Sequence, residues 1–309
     1  MTNHDFRDPR ATEQRNPRSE RIDAASSLEI VDLMHAEDRT VPGVVQGQRE
    51  HIARAIDLIV TAFQGAGRLV YIGAGTSGRL GVLDASECPP TFSVPPTMVI
   101  GIIAGGYGAL VKSAEGAEDD VNAGMAAMDT AEVTSRDVVV GIAASGTTPY
   151  VRAALGKAQT LGAKTVLLTC STPPRVLADT CDVIINPITG PEIITGSTRL
   201  KAGTATKLVL NMLSTGAMIR LGKVYGNLMV DLMALSAKLH DRGERIVMEV
   251  GGVSRAAARE ALAGAGGSVK VAIVMVRRTV SADEARKLLA EAGGFVRRVV
   301  GDPPAVARA

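Results

Sequence analysis

The stretch that decides the fold is Arg68-Leu69-Val70-Tyr71-Ile72, followed at once by Gly73-Ala74-Gly75-Thr76-Ser77-Gly78-Arg79. After the arginine, the first run is apolar without polar alternation, which is how a parallel strand covered on both faces reads. The glycines behind it let backbone approach an anion closely, and a helix opening there would aim free N–H groups at that anion. Outward from this point, four more short runs have the same character: 98–103, 137–143, 165–169 and 183–186. The stretches between them, 77–86, 116–130, 149–161 and 173–180, fit crossover helices. Strand and helix alternating in this way predict an α/β fold, doubly wound around a mostly parallel, five-stranded sheet.

The flanks read differently. Residues 1–23 look like a solvated arm, its arginines (Arg7, Arg10, Arg15, Arg18, Arg21) interrupted by Asp8, Glu13, Glu20 and Asp23. Ser26 is placed to cap a helix running to about Glu37. Ile52, Ala55, Ile56, Ile59, Val60 and Phe63 mark an amphipathic helix stopped by Gly65-Ala66-Gly67. Beyond Thr198 the pattern is helical, over 199–221 and 227–239. From 241 onward it predicts three short helices, 254–262, 269–276 and 282–292. The expected organisation is an N-terminal arm and helix (1–47), an α/β domain (48–240) and a small three-helix module (241–309).

Composition narrows the function classes. The 309 residues are 46% hydrophobic but only 3% aromatic, with no Trp, so the core must be built from Ala, Val, Ile, Leu and Met. Thirty-four basic and 32 acidic residues are mixed along the chain, for a net charge of +2. A nucleic-acid partner would call for a concentrated basic patch, and none is present. No apolar run approaches the ~18 residues of a membrane span, and the polar start predicts no signal peptide. Cys88, Cys170 and Cys181, odd in number and widely spaced, read as reduced thiols of a cytoplasmic protein. The His, Cys and carboxylate residues show no metal-ligand spacing, so neither a metal nor another cofactor is expected.

Gly73, Gly75 and Gly78 fit the dinucleotide pattern G-x-G-x-x-G. That pattern wants an acid about 20 residues on to hold a ribose hydroxyl, and 100–106 contain none. The loop instead carries adjacent hydroxyls, Thr76 and Ser77, suited to a terminal phosphate. A second loop, Ser145-Gly146-Thr147-Thr148, follows another strand and precedes Pro149, a good first helical residue. Two such loops at the carboxyl edge of a sheet point to a sugar-phosphate site; the alternative is two ordinary helix starts. Ser77, Ser145, Thr147 and Thr148 are the expected phosphate donors, with Gly75, Thr76 and Gly146 shaping the loops. Ser197, Thr198 and Lys201 are candidates to complete the site, Lys201 as a point charge. Glu192 is a candidate partner for a sugar hydroxyl or for ring opening, with a salt bridge as the equal alternative.

These loops resemble the sugar isomerase (SIS) domain. Longer strings narrow the resemblance: Thr12-Glu13-Gln14-Arg15-Asn16-Pro17, Gly73–Arg79, Asp84-Ala85-Ser86-Glu87-Cys88-Pro89-Pro90-Thr91, Glu115-Gly116-Ala117-Glu118-Asp119-Asp120 and Gly196–Thr204. Together they are similar to the N-acetylmuramic acid 6-phosphate etherase family, from about residue 12 to about 300. The resemblance implies a homodimer, a sugar-phosphate substrate, and removal of its lactyl ether by elimination then hydration, in the recycling of cell-wall sugar. It also implies that the tail resembles ubiquitin-associated modules, for which Arg277-Arg278 is unusually basic.

The chemistry it implies needs one protonated and one ionised group around a single sugar, roles the resemblance gives to Glu87 and Glu118. Cys88, Pro89 and Pro90 should end the helix and give Glu87 an apolar neighbourhood, which favours the protonated acid. Glu118, in an acidic run near a helix start, suits the ionised base. The opposite division of roles stays open. Two other functions share the fold: a sugar-phosphate sensor that does no chemistry, and an aldose–ketose isomerase, which uses the same proton abstraction at carbon 2.

Overall fold

A computed structural model describes residues 10–232 and 237–305. In chain order its elements are α1 (Ser27–Asp38), α2 (Val41–Gln46), α3 (Arg49–Gln64), β1 (Leu69–Gly73), α4 (Gly75–Phe92), β2 (Val99–Ile103), α5 (Val121–Thr130), β3 (Val138–Ile142), α6 (Pro149–Thr160), β4 (Lys164–Leu168), α7 (Arg175–Thr180), β5 (Val183–Ile185), α8 (Lys201–Arg220), α9 (Ala237–Gly251), α10 (Arg255–Gly264), α11 (Val269–Arg278), α12 (Ala282–Glu291) and α13 (Val296–Val300). The chain falls into two compact units, Met1–Ser86 with Thr97–Ser214, and Glu87–Pro96 with Thr215–Ala309.

The first unit is built on one parallel sheet of five strands in the order β2-β1-β3-β4-β5. Every residue of β1 and of β3 is buried. Because successive side chains point to opposite faces, that pattern means both faces are covered, and it explains the absence of polar alternation in the sequence. Helices α3 and α6 pack on the strands, around a core that includes Val70, Ile72, Val139, Val151 and Leu155. Helix α4 sits so close that a Cβ on Gly81 would lie 2.9 Å from the Tyr71 Cβ. The strand order reverses between β1 and β3, whose ends are level: Gly73 pairs with Ile142. A doubly wound sheet opens its ligand crevice at such a reversal, outside the carboxyl ends of the strands.

Three expectations for residues 1–130 need correcting. The segment around residues 11–19 is not a solvated arm: Thr12, Asn16 and Ser19 are buried, and the Asn16 side chain donates to the Pro191 carbonyl at 3.4 Å. Arg7 and Asp8 lie outside the described residues. Pro89 and Pro90 do not end α4, which runs through both to Phe92. Proline φ suits a helix and each ring removes only one ladder bond; the final turn still closes, Ser93 N donating to the Pro89 carbonyl at 3.0 Å. Last, 116–130 is a short 3-10 turn, Ala117–Asp119, followed by α5. Asp120 is the cap, accepting from Ala123 N at 2.8 Å.

The second unit is helical. Val247, Val250, Ala258, Val269, Ala272, Ile273, Ala285 and Val296 form its core with Tyr225 and Val230. The helix expected over 227–239 is absent through 232, where Tyr225 and Leu228 form an isolated bridge; residues 233–236 lie outside those described. The helical signal belongs further on, to α9, so the tail holds more than three helices. Lys270 is buried, donating to Asp231 at 2.7 Å and to the Gly222 carbonyl at 3.0 Å. The basic Arg277-Arg278 pair ends α11, where cations favour the helix dipole, and Arg277 donates to the carbonyls of Val250 and Val300.

Candidate active site

The loops leaving β1 and β3 lie side by side at the reversal point, because the strands that feed them are in register. In the first, Gly75 adopts φ +53°, a conformation glycine enters without cost, and α4 begins there. Gly78 lets the helix close on the strand: a Cβ on it would meet the Gly73 carbonyl oxygen at 2.7 Å. In the second loop, Gly146 has φ +74°, and a Cβ there would lie 3.0 Å from Thr169 Oγ1. Ser145 Oγ and Thr147 Oγ1 are 2.9 Å apart, and Ser145 Oγ accepts from Thr147 N at 3.3 Å. Pro149 is the first residue of α6, and Thr148 makes no side-chain cap to it. The orphan amides of that helix end are therefore open to a ligand.

Both loops line one cleft of about 340 Å³. Thr76, Ser77, Ser145, Thr147 and Thr148 contribute hydroxyls, and Glu118, Asp119, Gly196 and Thr198 line it as well. The N-terminal segment completes the wall with Arg10 and Glu13. Arg10 Nη1 donates to Thr147 Oγ1 at 3.2 Å, and Gly196 N donates to the Thr12 carbonyl at 3.2 Å. Arg10 is the cation in this lining; the carboxylates are Glu13, Glu118 and Asp119. The lining offers hydroxyls, helix-end amides and one guanidinium to an anion, and carboxylates belong to the same cleft. That arrangement suits a phosphate at one end and proton transfer at the other.

Comparison with known proteins gives this geometry its family. Residues 51–159 match the model of the glucokinase regulatory protein N-terminal SIS domain, and 118–216 that of the SIS domain. The N-acetylmuramic acid 6-phosphate etherases of Yersinia pestis (strain Pestoides F) and Yersinia pseudotuberculosis serotype O:1b (strain IP 31758) are each 53% identical over 286 residues, 93% of this chain and 97% of theirs. The chain belongs to the N-acetylmuramic acid 6-phosphate etherase family. Among solved structures, a phosphoheptose isomerase from Neisseria gonorrhoeae is 16% identical with a TM-score of 0.47, covering 62% of this chain and 98% of that one.

Of the residues assigned from the two loops, the cleft lining holds Gly75, Thr76, Ser77, Ser145, Thr147 and Thr148 but not Gly146, and of the two glutamates taken from the resemblance it holds Glu118. Ser197 lies in the 196–198 loop, whose Gly196 and Thr198 line the cleft. Lys201 is not a phosphate donor here. It is buried, and its Nζ is ion-paired at 2.5 Å with Glu37, itself buried. A buried ammonium needs its counter-charge, and Glu37 supplies it. Burial would raise the Glu37 carboxyl, but Lys201, Asn16 and Arg18 outweigh it and hold it below the ordinary range.

Glu192 is likewise not open to a sugar. It is fully buried, and its two oxygens accept from Lys201 N at 3.0 Å and Ala202 N at 2.9 Å. It caps α8, and burial raises its carboxyl in spite of those amides. Glu87 belongs to the second unit and is exposed on α4; the apolar neighbourhood expected from Cys88-Pro89-Pro90 does not enclose it. Arg10, Glu13 and Asp119 are the charged lining residues that were not assigned to the site from the sequence. The string Thr12–Pro17 pointed at the arm but not at what it covers.

Proposed function

We propose that this chain is a lyase that removes the D-lactyl ether of N-acetylmuramic acid 6-phosphate, giving N-acetylglucosamine 6-phosphate and D-lactate. The observation that carries the reading is that Glu118 shares one cleft with both hydroxyl loops. With the phosphate on those loops, the opened sugar presents an aldehyde at carbon 1, which acidifies the proton on carbon 2. Glu118 takes that proton. Glu87 protonates the lactate oxygen as it leaves carbon 3, and water then adds at carbon 3 by the reverse sequence. Each carboxyl ends the cycle in its starting protonation state.

The resemblance implies Glu87 and Glu118 as a pair, and the exposure of Glu87 leaves its carboxyl accessible to a ligand. We place the protein in the cytoplasm as a homodimer. Three free thiols suit a reducing compartment, and no helix among the described residues is long and apolar enough to cross a membrane. A second reading, a sensor that binds sugar phosphate without chemistry, draws support from the match of 51–159 to a regulatory protein's domain.

Lactate released from N-acetylmuramic acid 6-phosphate, measured for the native chain and for Glu87→Gln and Glu118→Gln, separates these readings. Loss of a general acid or base should lower turnover by about 10²- to 10⁴-fold, while N-acetylglucosamine 6-phosphate still binds. Thermal stabilisation by the sugar phosphates with no lactate from the native chain would establish the sensor. Normal turnover in both variants would remove the glutamate pair from the mechanism.

A further inference from the structure

A second chamber adjoins the cleft, and the two share Ala74, Gly75 and Glu118 in their walls. It measures about 260 Å³. Its lining joins the small apolar side chains of Ala104, Ala109, Ala114 and Ala117 to two polar groups of note, Ser113 and the guanidinium of Arg79. Two carboxylates, Glu115 and the shared Glu118, also border it.

Arg79 sits one turn into α4, directly behind the first phosphate loop. Its Nε donates to the Leu110 carbonyl at 3.0 Å, which fixes the plane of the guanidinium. Among the described residues no carboxylate is ion-paired with it. A guanidinium pinned through Nε keeps its two terminal nitrogens, whose parallel N–H groups match a carboxylate in bidentate fashion. Small apolar walls, a short hydroxyl and one oriented guanidinium describe a receptor for a small hydroxy-acid anion.

We propose that this chamber holds the lactyl arm of the substrate and that Arg79 receives its carboxylate. The proposal rests on the etherase reading above and extends it. The shared wall sets the geometry: the phosphate lies on the loop side of Ala74–Gly75, the lactyl group lies beyond it, and Glu118 stands where the sugar carbons between them must pass. The chamber would thereby select sugar phosphates that carry an acidic ether substituent, and Glu115 and Glu118 would repel an arm whose carboxylate missed the guanidinium.

The test compares two substrates, N-acetylmuramic acid 6-phosphate and its lactyl carboxamide, with native enzyme and Arg79→Gln. A carboxylate–guanidinium bond of ordinary strength predicts that the native enzyme prefers the acid by about 10- to 100-fold in kcat/KM, that Arg79→Gln loses this preference, and that Arg79→Lys restores part of it. The affinity for N-acetylglucosamine 6-phosphate, which lacks the arm, should be unchanged in Arg79→Gln. Equal native use of acid and amide overturns the proposal without any variant. So does an Arg79→Gln enzyme that keeps the preference, or one that loses N-acetylglucosamine 6-phosphate as well, because Arg79 would then serve the loop alone. Absence of lactate release from the native chain is a different result, and it overturns the etherase reading itself.

Discussion

Lys201→Met isolates what the buried pair with Glu37 does. The two side chains are 5% and 7% exposed and meet at 2.5 Å, while Arg18, 63% exposed, reaches the other Glu37 oxygen at 3.2 Å. Removing one member of a buried pair leaves the other charge uncompensated, at a cost of about 3–5 kcal/mol. Arg18 is too exposed to replace a buried ammonium, so we expect about 3 kcal/mol, the low end of that range. Glu37→Gln should cost a similar amount. The double variant Glu37→Gln/Lys201→Met should recover much of the loss, since a neutral pair of similar volume is often no less stable than a buried ion pair. Urea midpoints for the four proteins, read with the slopes to check that each unfolds alike, give the coupling directly. KM for the sugar phosphate, measured where each variant is folded, should change little. An additive cycle, or a Lys201→Met enzyme of native stability with KM raised tenfold or more, would refute the structural role and return Lys201 to the phosphate.

Gly146→Ala forces φ +74° on a residue with a Cβ, 3.0 Å from Thr169 Oγ1; strain of about 1–3 kcal/mol should shift the loop, raise KM and lower stability by no more than that amount, as titration with inorganic phosphate and thermal melting would check. Burial pushes the Cys170 thiol up to about 12 and that of Cys181 to about 11, so a thiol-exchange reagent at pH 8 should leave both unlabelled in the native chain and label them on unfolding; rapid native labelling would contradict their placement. Glu37 and Asp137 are held below the ordinary carboxylate range because their partners outweigh burial. A carboxyl lowered in the native state binds fewer protons there than when unfolded. Its contribution is therefore present above the unfolded value and lost as pH falls through the folded one. Stability should drop on acidification below about pH 4, and Glu37→Gln, though less stable at pH 7, should lose less over that interval.

The sheet was legible because burial on both faces leaves a plain signature: uninterrupted apolar runs between glycine-rich turns. The conformations of the two hydroxyl-bearing loops were legible for the same local reason, since a positive φ at Gly75 and Gly146 and a proline at the start of α6 are written in single residues. What the sequence concealed depends on distant partners. Nothing near Lys201 announces that Glu37, 164 positions away, will claim its charge. Nothing near Glu192 shows that α8 will begin against its carboxylate. The arm looked solvated because its charges alternate, yet Arg10 pairs with Thr147 across 137 positions. The helix expected over 227–239 erred differently: the apolar count was right for the segment, but Tyr225 and Leu228 turn the chain into a bridge before α9 begins.

In the proposed mechanism a carboxylate removes the proton on carbon 2 of a sugar whose phosphate is held by the loops after β1 and β3. Turnover of N-acetylmuramic acid 6-phosphate in heavy water reads it directly. That mechanism yields free D-lactate and an N-acetylglucosamine 6-phosphate that carries deuterium on carbon 2. Lactate formed with carbon 2 still bearing its original proton, or no lactate at all, would contradict it.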